Sequence, residues 1–248
     1  MSTLDSFSLQ GQRAMVTGGS RGIGGAIADG LAGAGAELSI VARSPGPCEA
    51  KAQSLGGRSF PCDVTDHDAL KTAMDEAGGD AGLDIFVACA GASHSGAASS
   101  LTMSDLQRMF DIHVKAAIFG AQQAAEQMRN AGKGGSILLV TSVWGLGGQP
   151  GTLAYGTAKA ALAHAVRVLA IEWARDKIRV NGLAPGFVDT EMTADVGDKV
   201  RGKLLSRVPM RRSAKPEEMA GPALFLCSPA ASYVTGQVLA ADGGERAR

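Results

Sequence analysis

Short, almost uniformly apolar runs alternate along this chain with longer amphipathic stretches, the order that a parallel sheet with crossover helices demands. RAMVT at 13–17, ELSIVA at 37–42, RSFPC at 58–62, LDIFVACA at 83–90, SILLVTS at 136–142, IRVNGLA at 178–184 and GQVLAA at 236–241 read as strands. LDIFVACA is apolar enough to be buried on both faces. Helical spacing predicts helices over about 22–34, 49–55 and 66–77, two more within 103–128, and a long one over 154–175. Thr65 is the expected cap of the third. Residues 190–210 break the pattern, being polar and without an apolar stripe; they read as a mobile lid or as a plain surface helix.

Composition narrows this only a little. With 248 residues, of which 45% are hydrophobic, the chain can bury a large core, and no low-complexity linker divides it, so a single domain over 1–248 is expected. A formal net charge of zero gives no footprint for nucleic acid or an anionic membrane. The start MSTLDSFSLQGQ has no signal-peptide pattern and no run is long enough to span a bilayer. Cys48, Cys62, Cys89 and Cys227 lack metal-site or redox-motif spacing and read as reduced thiols, so no metal and a cytoplasmic location are expected.

Candidate chemistry gathers in three places. Tyr155 and Lys159 stand four residues apart, one helical turn, so phenol and ammonium can share a face. Ser142 ends an apolar run and would lie at the carboxyl edge of the sheet, where open parallel sheets bind ligands. The set reads as an acid, a charge that lowers its pKa, and a hydroxyl that holds a carbonyl or alkoxide oxygen. A Tyr–Lys pair alone also occurs on ordinary helices. At the amino end, Gly18, Gly22 and Gly24 form T-G-x-x-x-G-x-G between a strand and a helix, where backbone N–H groups and the helix dipole favour a phosphate; a tight turn is the plainer reading.

TGGSRGIG at 17–24, CDV at 62–64, CAGA at 89–92, Ser142, YGTAK at 155–159, NGLAPGFVDTEM at 181–192 and YVTGQVLAADGG at 233–244 occur together and in order. In this the whole chain resembles the short-chain dehydrogenases/reductases of the classical type. The resemblance implies a Rossmann-type, doubly wound sheet of about seven parallel strands, a nicotinamide cofactor, and hydride transfer between a carbonyl and an alcohol. It implies cofactor contacts from Gly18, Ser20, Arg21, Gly22, Ile23, Gly24, Arg43, Asp63, Val64, Ala90, Gly91, Tyr155, Lys159, Pro185, Gly186, Val188 and Thr190, with Asp63 at the adenine. It places His94, Ser142, Trp144, Tyr155, Gly186 and Met192 at the substrate, favours the lid over the surface helix, and implies a homotetramer or dimer. Arg43, with Arg21 beside Gly22, stands where a carboxylate would read an unphosphorylated ribose, so NADP(H) is expected, with NAD(H) possible.

Two positions depart from the family pattern. His113 replaces an Asn of the catalytic tetrad, and is expected to keep the proton relay and to add an acid limb near pH 6.5, or else simply to pack at a helix break. Cys89 replaces the Asn of N-A-G, filling its space without its amide hydrogen bonds. The substrate is a small carbonyl or alcohol: a 3-oxoacyl thioester or small ketone on one reading, a sugar acid or polyol on the other. A carrier-protein substrate would want a basic patch, for which only Lys133 and Arg175 speak, and Asp176 offsets them. A cofactor-binding redox sensor and an oligomerisation module are the two non-enzymatic alternatives; the presence of both Tyr155 and Lys159 counts against the sensor.

Overall fold

The computed structural model describes residues 2–247. Seven parallel strands form one sheet: β1 (Arg13–Thr17), β2 (Glu37–Ala42), β3 (Arg58–Pro61), β4 (Ile85–Ala88), β5 (Gly135–Val140), β6 (Ile178–Pro185) and β7 (Val238–Ala241), in the order β3-β2-β1-β4-β5-β6-β7. The helices are α1 (Gly22–Gly33), α2 (Pro45–Ser54), α3 (His67–Gly78), α4 (Met103–Phe110), α5 (Ala116–Asn130), α6 (Val143–Leu146), α7 (Leu153–Trp173), α8 (Asp198–Leu205) and α9 (Ala220–Cys227).

Strand alternation sorts the core into two layers. In β4, Phe86 and Ala88 face a cluster with Leu70 of α3, Ala121 and Met128 of α5, and Leu162 and Val166 of α7. Ile85 and Val87 face the other layer, with Ile27 and Leu31 of α1, Ala52 of α2 and Leu226 of α9. Both faces are covered, which is why this strand reads as a continuous apolar run. The strand order reverses between β1 and β4, and the crevice at a reversal is where such sheets bind ligands.

Three local readings change. The second helix starts at Pro45, four residues before the expected Glu49, because proline is pre-organised for a first helical turn. The third is capped by Asp66, whose carboxylate accepts from the Ala69 N–H at 3.0 Å; Thr65, the expected cap, instead donates its hydroxyl and its N–H to Asp63. Residues 103–130 run from α4 to α5 through a π turn, Asp111–Lys115, rather than as two separate helices, and His113 sits in that turn.

Candidate active site

Ser142 follows β5 directly and caps α6, its Oγ accepting from the Trp144 N–H at 3.2 Å. That bond orients the hydroxyl, whose proton is donated to the Tyr155 oxygen, a contact that favours the phenolate. Burial acts the other way and is the larger effect, pushing Tyr155 up to about 12. Lys159, one turn along α7, is buried and donates to the Val140 carbonyl at 2.6 Å, while its ammonium lies 5.8 Å from the centre of the Tyr155 ring. The expected lowering of the Tyr155 pKa is outweighed in this arrangement, where the ammonium is turned toward a backbone carbonyl and burial governs the phenol. Burial also brings Lys159 down to about 8.

His113 packs edge-on against Tyr155, ring centres 5.2 Å apart, with its Nε2 2.8 Å from the Ala92 carbonyl. The carbonyl can only accept, so Nε2 carries the proton and Nδ1 presents a buried lone pair with no partner among the described residues. Burial and the nearby Lys159 charge bring His113 down to about 3. The expected titration near pH 6.5 is thus corrected, since an imidazolium here would be both desolvated and beside an ammonium. Gly91 leaves room for this ring, as a Cβ there would lie 2.7 Å from His113 Cε1.

The glycine loop bends at Gly18, whose φ of +68° favours glycine and where a Cβ would lie 2.7 Å from the Ala90 Cα. A Cβ at Gly24 would collide with the Gly18 carbonyl oxygen. The residue at the start of α1, Arg21, makes no side-chain cap bond, so the first-turn N–H groups and the positive dipole end are left for a ligand. This bare backbone fits the diphosphate of a dinucleotide. Gly24→Ala should displace α1 from the loop, lowering stability by about 1–3 kcal/mol. Titration calorimetry with NADPH should show the same variant binding at least about tenfold more weakly, a loss of about 1.4 kcal/mol.

Thr17, absent from the sequence-derived set, ties the two sides of the crevice together. Its Oγ1 accepts from the N–H groups of Cys89 and Ala90 at 3.2 and 3.3 Å and donates to Val87. It thereby fixes the end of β4 where Cys89 offers no amide. Ser20 and Ile23 lie in the glycine loop, and Thr190 sits over Gly22, its Cγ2 3.5 Å from where a Cβ would be. Arg43 is exposed at the end of β2. Arg21 is in an ion pair with Glu191 at 2.5 Å rather than unengaged. Asp63 accepts both bonds from Thr65 and is held low chiefly by them, with Arg43 contributing; Val64 beside it is buried. Pro185 ends β6, Gly186 packs on Asp242, and Val188 bridges to Ala214.

Beyond Trp144 opens a cavity of about 380 Å³, lined among others by Trp144, Gly147, Gln149, Ser206, Arg207 and Arg246. The indole stands edge-on to Tyr155, ring centres 6.1 Å apart, so Trp144 links the cavity lining to the Tyr155 ring. Of the substrate residues expected beyond the trio, only Trp144 lines it. His94 is drawn toward Asp105 at 3.6 Å, Gly186 faces Asp242, and Met192 is exposed.

Comparison with known proteins gives a consistent picture. The family model described as Enoyl-(Acyl carrier protein) reductase matches residues 18–245. The chain is 36% identical to the gluconate 5-dehydrogenase of Gluconobacter oxydans, with 98% of each chain covered. It superimposes on a short-chain type dehydrogenase/reductase from Mycobacterium marinum with a TM-score of 0.95 at 33% identity, covering 100% of both chains. It is similar also to a gluconate 5-dehydrogenase from Burkholderia cenocepacia, solved in complex with NADP and tartrate, with a TM-score of 0.94, 31% identity and 100% coverage of both.

Proposed function

The chain belongs to the short-chain dehydrogenase/reductase family and is an oxidoreductase of alcohol and carbonyl groups, and from that premise we propose that it uses NADP(H) to reduce a small ketone, with Tyr155 as the acid. The observation that carries this reading is the Trp144–Ser142–Tyr155 hydrogen-bond chain at the crevice. When bound, the nicotinamide supplies hydride to the carbonyl carbon or accepts it from the alcohol. Tyr155 offers its O–H to the carbonyl oxygen and gives its proton as negative charge develops there, while Ser142, on turning its O–H from Tyr155 to the substrate, supplies a second donor. With Tyr155 pushed up to about 12, the proton that reduction needs is in place at neutral pH, whereas oxidation requires its loss.

Gly18, Ser20, Gly22, Ile23 and Gly24 would hold the diphosphate, Asp63 and Val64 the adenine side, and Lys159 the nicotinamide ribose. Ala90, Gly91, Pro185, Gly186, Val188 and Thr190 would line the rest. Arg43, exposed at the end of β2, would receive the 2′-phosphate, joined by Arg21 when it leaves Glu191. The NADP in the Burkholderia relative supports this preference over NAD(H). Arg43→Asp should lower kcat/KM with NADPH by about 10- to 100-fold, the value of one to two charge-assisted bonds, and leave NADH nearly unaffected. An equal loss with both cofactors would count against Arg43 as the phosphate reader.

A carrier-protein thioester has less support. Lys133 is paired with Asp84 at 2.6 Å, while Asp176 is paired with Arg129 rather than with Arg175, so one of the two expected basic residues is engaged. The sugar-acid reading, with NAD(P), is favoured by the names of the Gluconobacter and Burkholderia relatives. Among the described residues no helix is long and apolar enough to cross a membrane, and the four cysteines are free thiols, which supports a cytoplasmic location. Val168 and Ile171, three residues apart on α7, are both exposed apolar side chains, which supports a homotetramer or dimer through that helix. The direct test is loss of NADPH near-ultraviolet absorbance against a panel of ketones. Turnover absent in Tyr155→Phe is the expected result; tight NADPH binding with no turnover anywhere would favour the sensor instead.

A further inference from the structure

We infer that the preferred substrate carries a carboxylate, received by Arg246 in the cavity beyond Trp144 while the reacting carbon lies on the Tyr155 side of the indole. The inference rests on the reading of Ser142 and Tyr155 as the reacting pair. Three observations lead to it. First, Trp144 joins the cavity to that pair: Val143 and Trp144, which follow Ser142 in the chain, share the lining with Arg246 and Gln149, and the Trp144 indole stands edge-on to the Tyr155 ring. A ligand whose carbonyl meets Tyr155 therefore extends past an aromatic wall toward a cation.

Second, the chain makes room for that cation. Gly147 has φ −160° and ψ 161°, an extended conformation open to any residue, so backbone freedom does not call for glycine there. A Cβ at this position would instead collide with the Arg246 Nη1. The missing side chain is what lets the guanidinium lie against the loop after α6.

Third, the donors are set in place by bonds that leave them facing the cavity with capacity to donate. Asp242 accepts from the Gly244 N–H at 3.0 Å through Oδ1 and from the Arg246 N–H at 2.8 Å through Oδ2, fixing the turn that carries Arg246. Among the described residues the Arg246 guanidinium itself forms no ion pair. Gln149 accepts from Arg207 Nη1 at 2.5 Å through Oε1, which leaves its amide N–H groups as donors. Glu245 lines the cavity as well, so among the described residues Arg207, Arg246 and Glu245 are its charged lining. A planar carboxylate matches a guanidinium fork plus an amide donor, whereas a neutral group of the same shape would leave the cation without a partner.

The test compares straight-chain oxo acids of increasing length with their primary amides, using NADPH and the full-length protein. For the chain length that fits, the parent should prefer the acid, and Arg246→Gln should reduce the acid-to-amide ratio of kcat/KM by about 10- to 100-fold, mostly through KM. Arg246→Lys should recover part of that ratio. Binding of a non-reacting alkyl carboxylate, followed by the fluorescence of Trp144, supplies a readout independent of turnover and should weaken about tenfold in Arg246→Gln. Turnover with no preference for acids, or a ratio unchanged by Arg246→Gln, would overturn the carboxylate site while leaving the reductase intact. Tight, Arg246-dependent carboxylate binding with no reduction of acid or amide would support the site and remove the reaction assigned to Tyr155.

Discussion

Tyr155→Phe is expected to lower kcat/KM for ketone reduction by about 10²- to 10⁴-fold, the usual value of one well-placed proton transfer. The substitution keeps the ring that packs edge-on against His113 and Trp144, so NADPH affinity and the unfolding midpoint should change little. What is lost is the phenol hydroxyl at the crevice and the acceptor for the Ser142 hydroxyl. The height of the Tyr155 pKa adds a directional signature. An acid near 12 is fully protonated from pH 6 to 9, so its ionisation leaves reduction flat across that range. Alcohol oxidation needs the phenolate, whose fraction rises tenfold per pH unit below the pKa, so the oxidative rate should climb with unit slope. Steady-state kinetics in both directions checks this. A Phe variant that kept its rate would move the proton to another donor, with Ser142 the first to examine.

The frame of the site was legible because it depends on local signals. A strand buried on both faces must be apolar at successive positions, as Ile85, Phe86 and Val87 are, and a backbone cradle must be glycine where a Cβ would strike another backbone, as at Gly18 and Gly24. One helical turn also suffices to place Lys159 near Tyr155. The illegible parts are those settled by distant contacts. Arg246 meets Gly147 from the far end of the chain, and neither position has a periodic pattern or a motif to announce it. Arg21 pairs with Glu191 across a long separation, so a residue read as a phosphate ligand carries a second partner. Thr17 lies inside the motif TGGSRGIG, yet only the pairing of β1 with β4 brings its hydroxyl to the Cys89 and Ala90 N–H groups. The π turn left no composition signal, and with it went the depth at which His113 is buried.

That depth sets the last expected result, a stability of the parent relative to His113→Asn that falls as the pH falls. In the unfolded chain a histidine titrates near pH 6.5, whereas in the fold His113 is held down to about 3 by burial first and by Lys159 second. Between these values the unfolded state takes up a proton that the native state refuses. By linkage, the contribution of His113 is fully present above about pH 6.5 and declines as the pH drops toward 3, by about 1.4 kcal/mol per unit through the middle of the window. The charged group that acts on His113, the Lys159 ammonium, keeps the sign, since it disfavours an imidazolium as burial does. Asparagine cannot titrate, so urea unfolding of His113→Asn at a series of pH values should show a shallower acid slope than the parent. Carboxylates elsewhere contribute equally to both proteins and cancel in the comparison. Activity should follow the same logic, with no acid limb near pH 6.5 in the parent and coincident limbs in the two proteins. Equal stability slopes would mean that His113 ionises in the native state much as it does in water, and that the π turn opens to let solvent reach Nδ1.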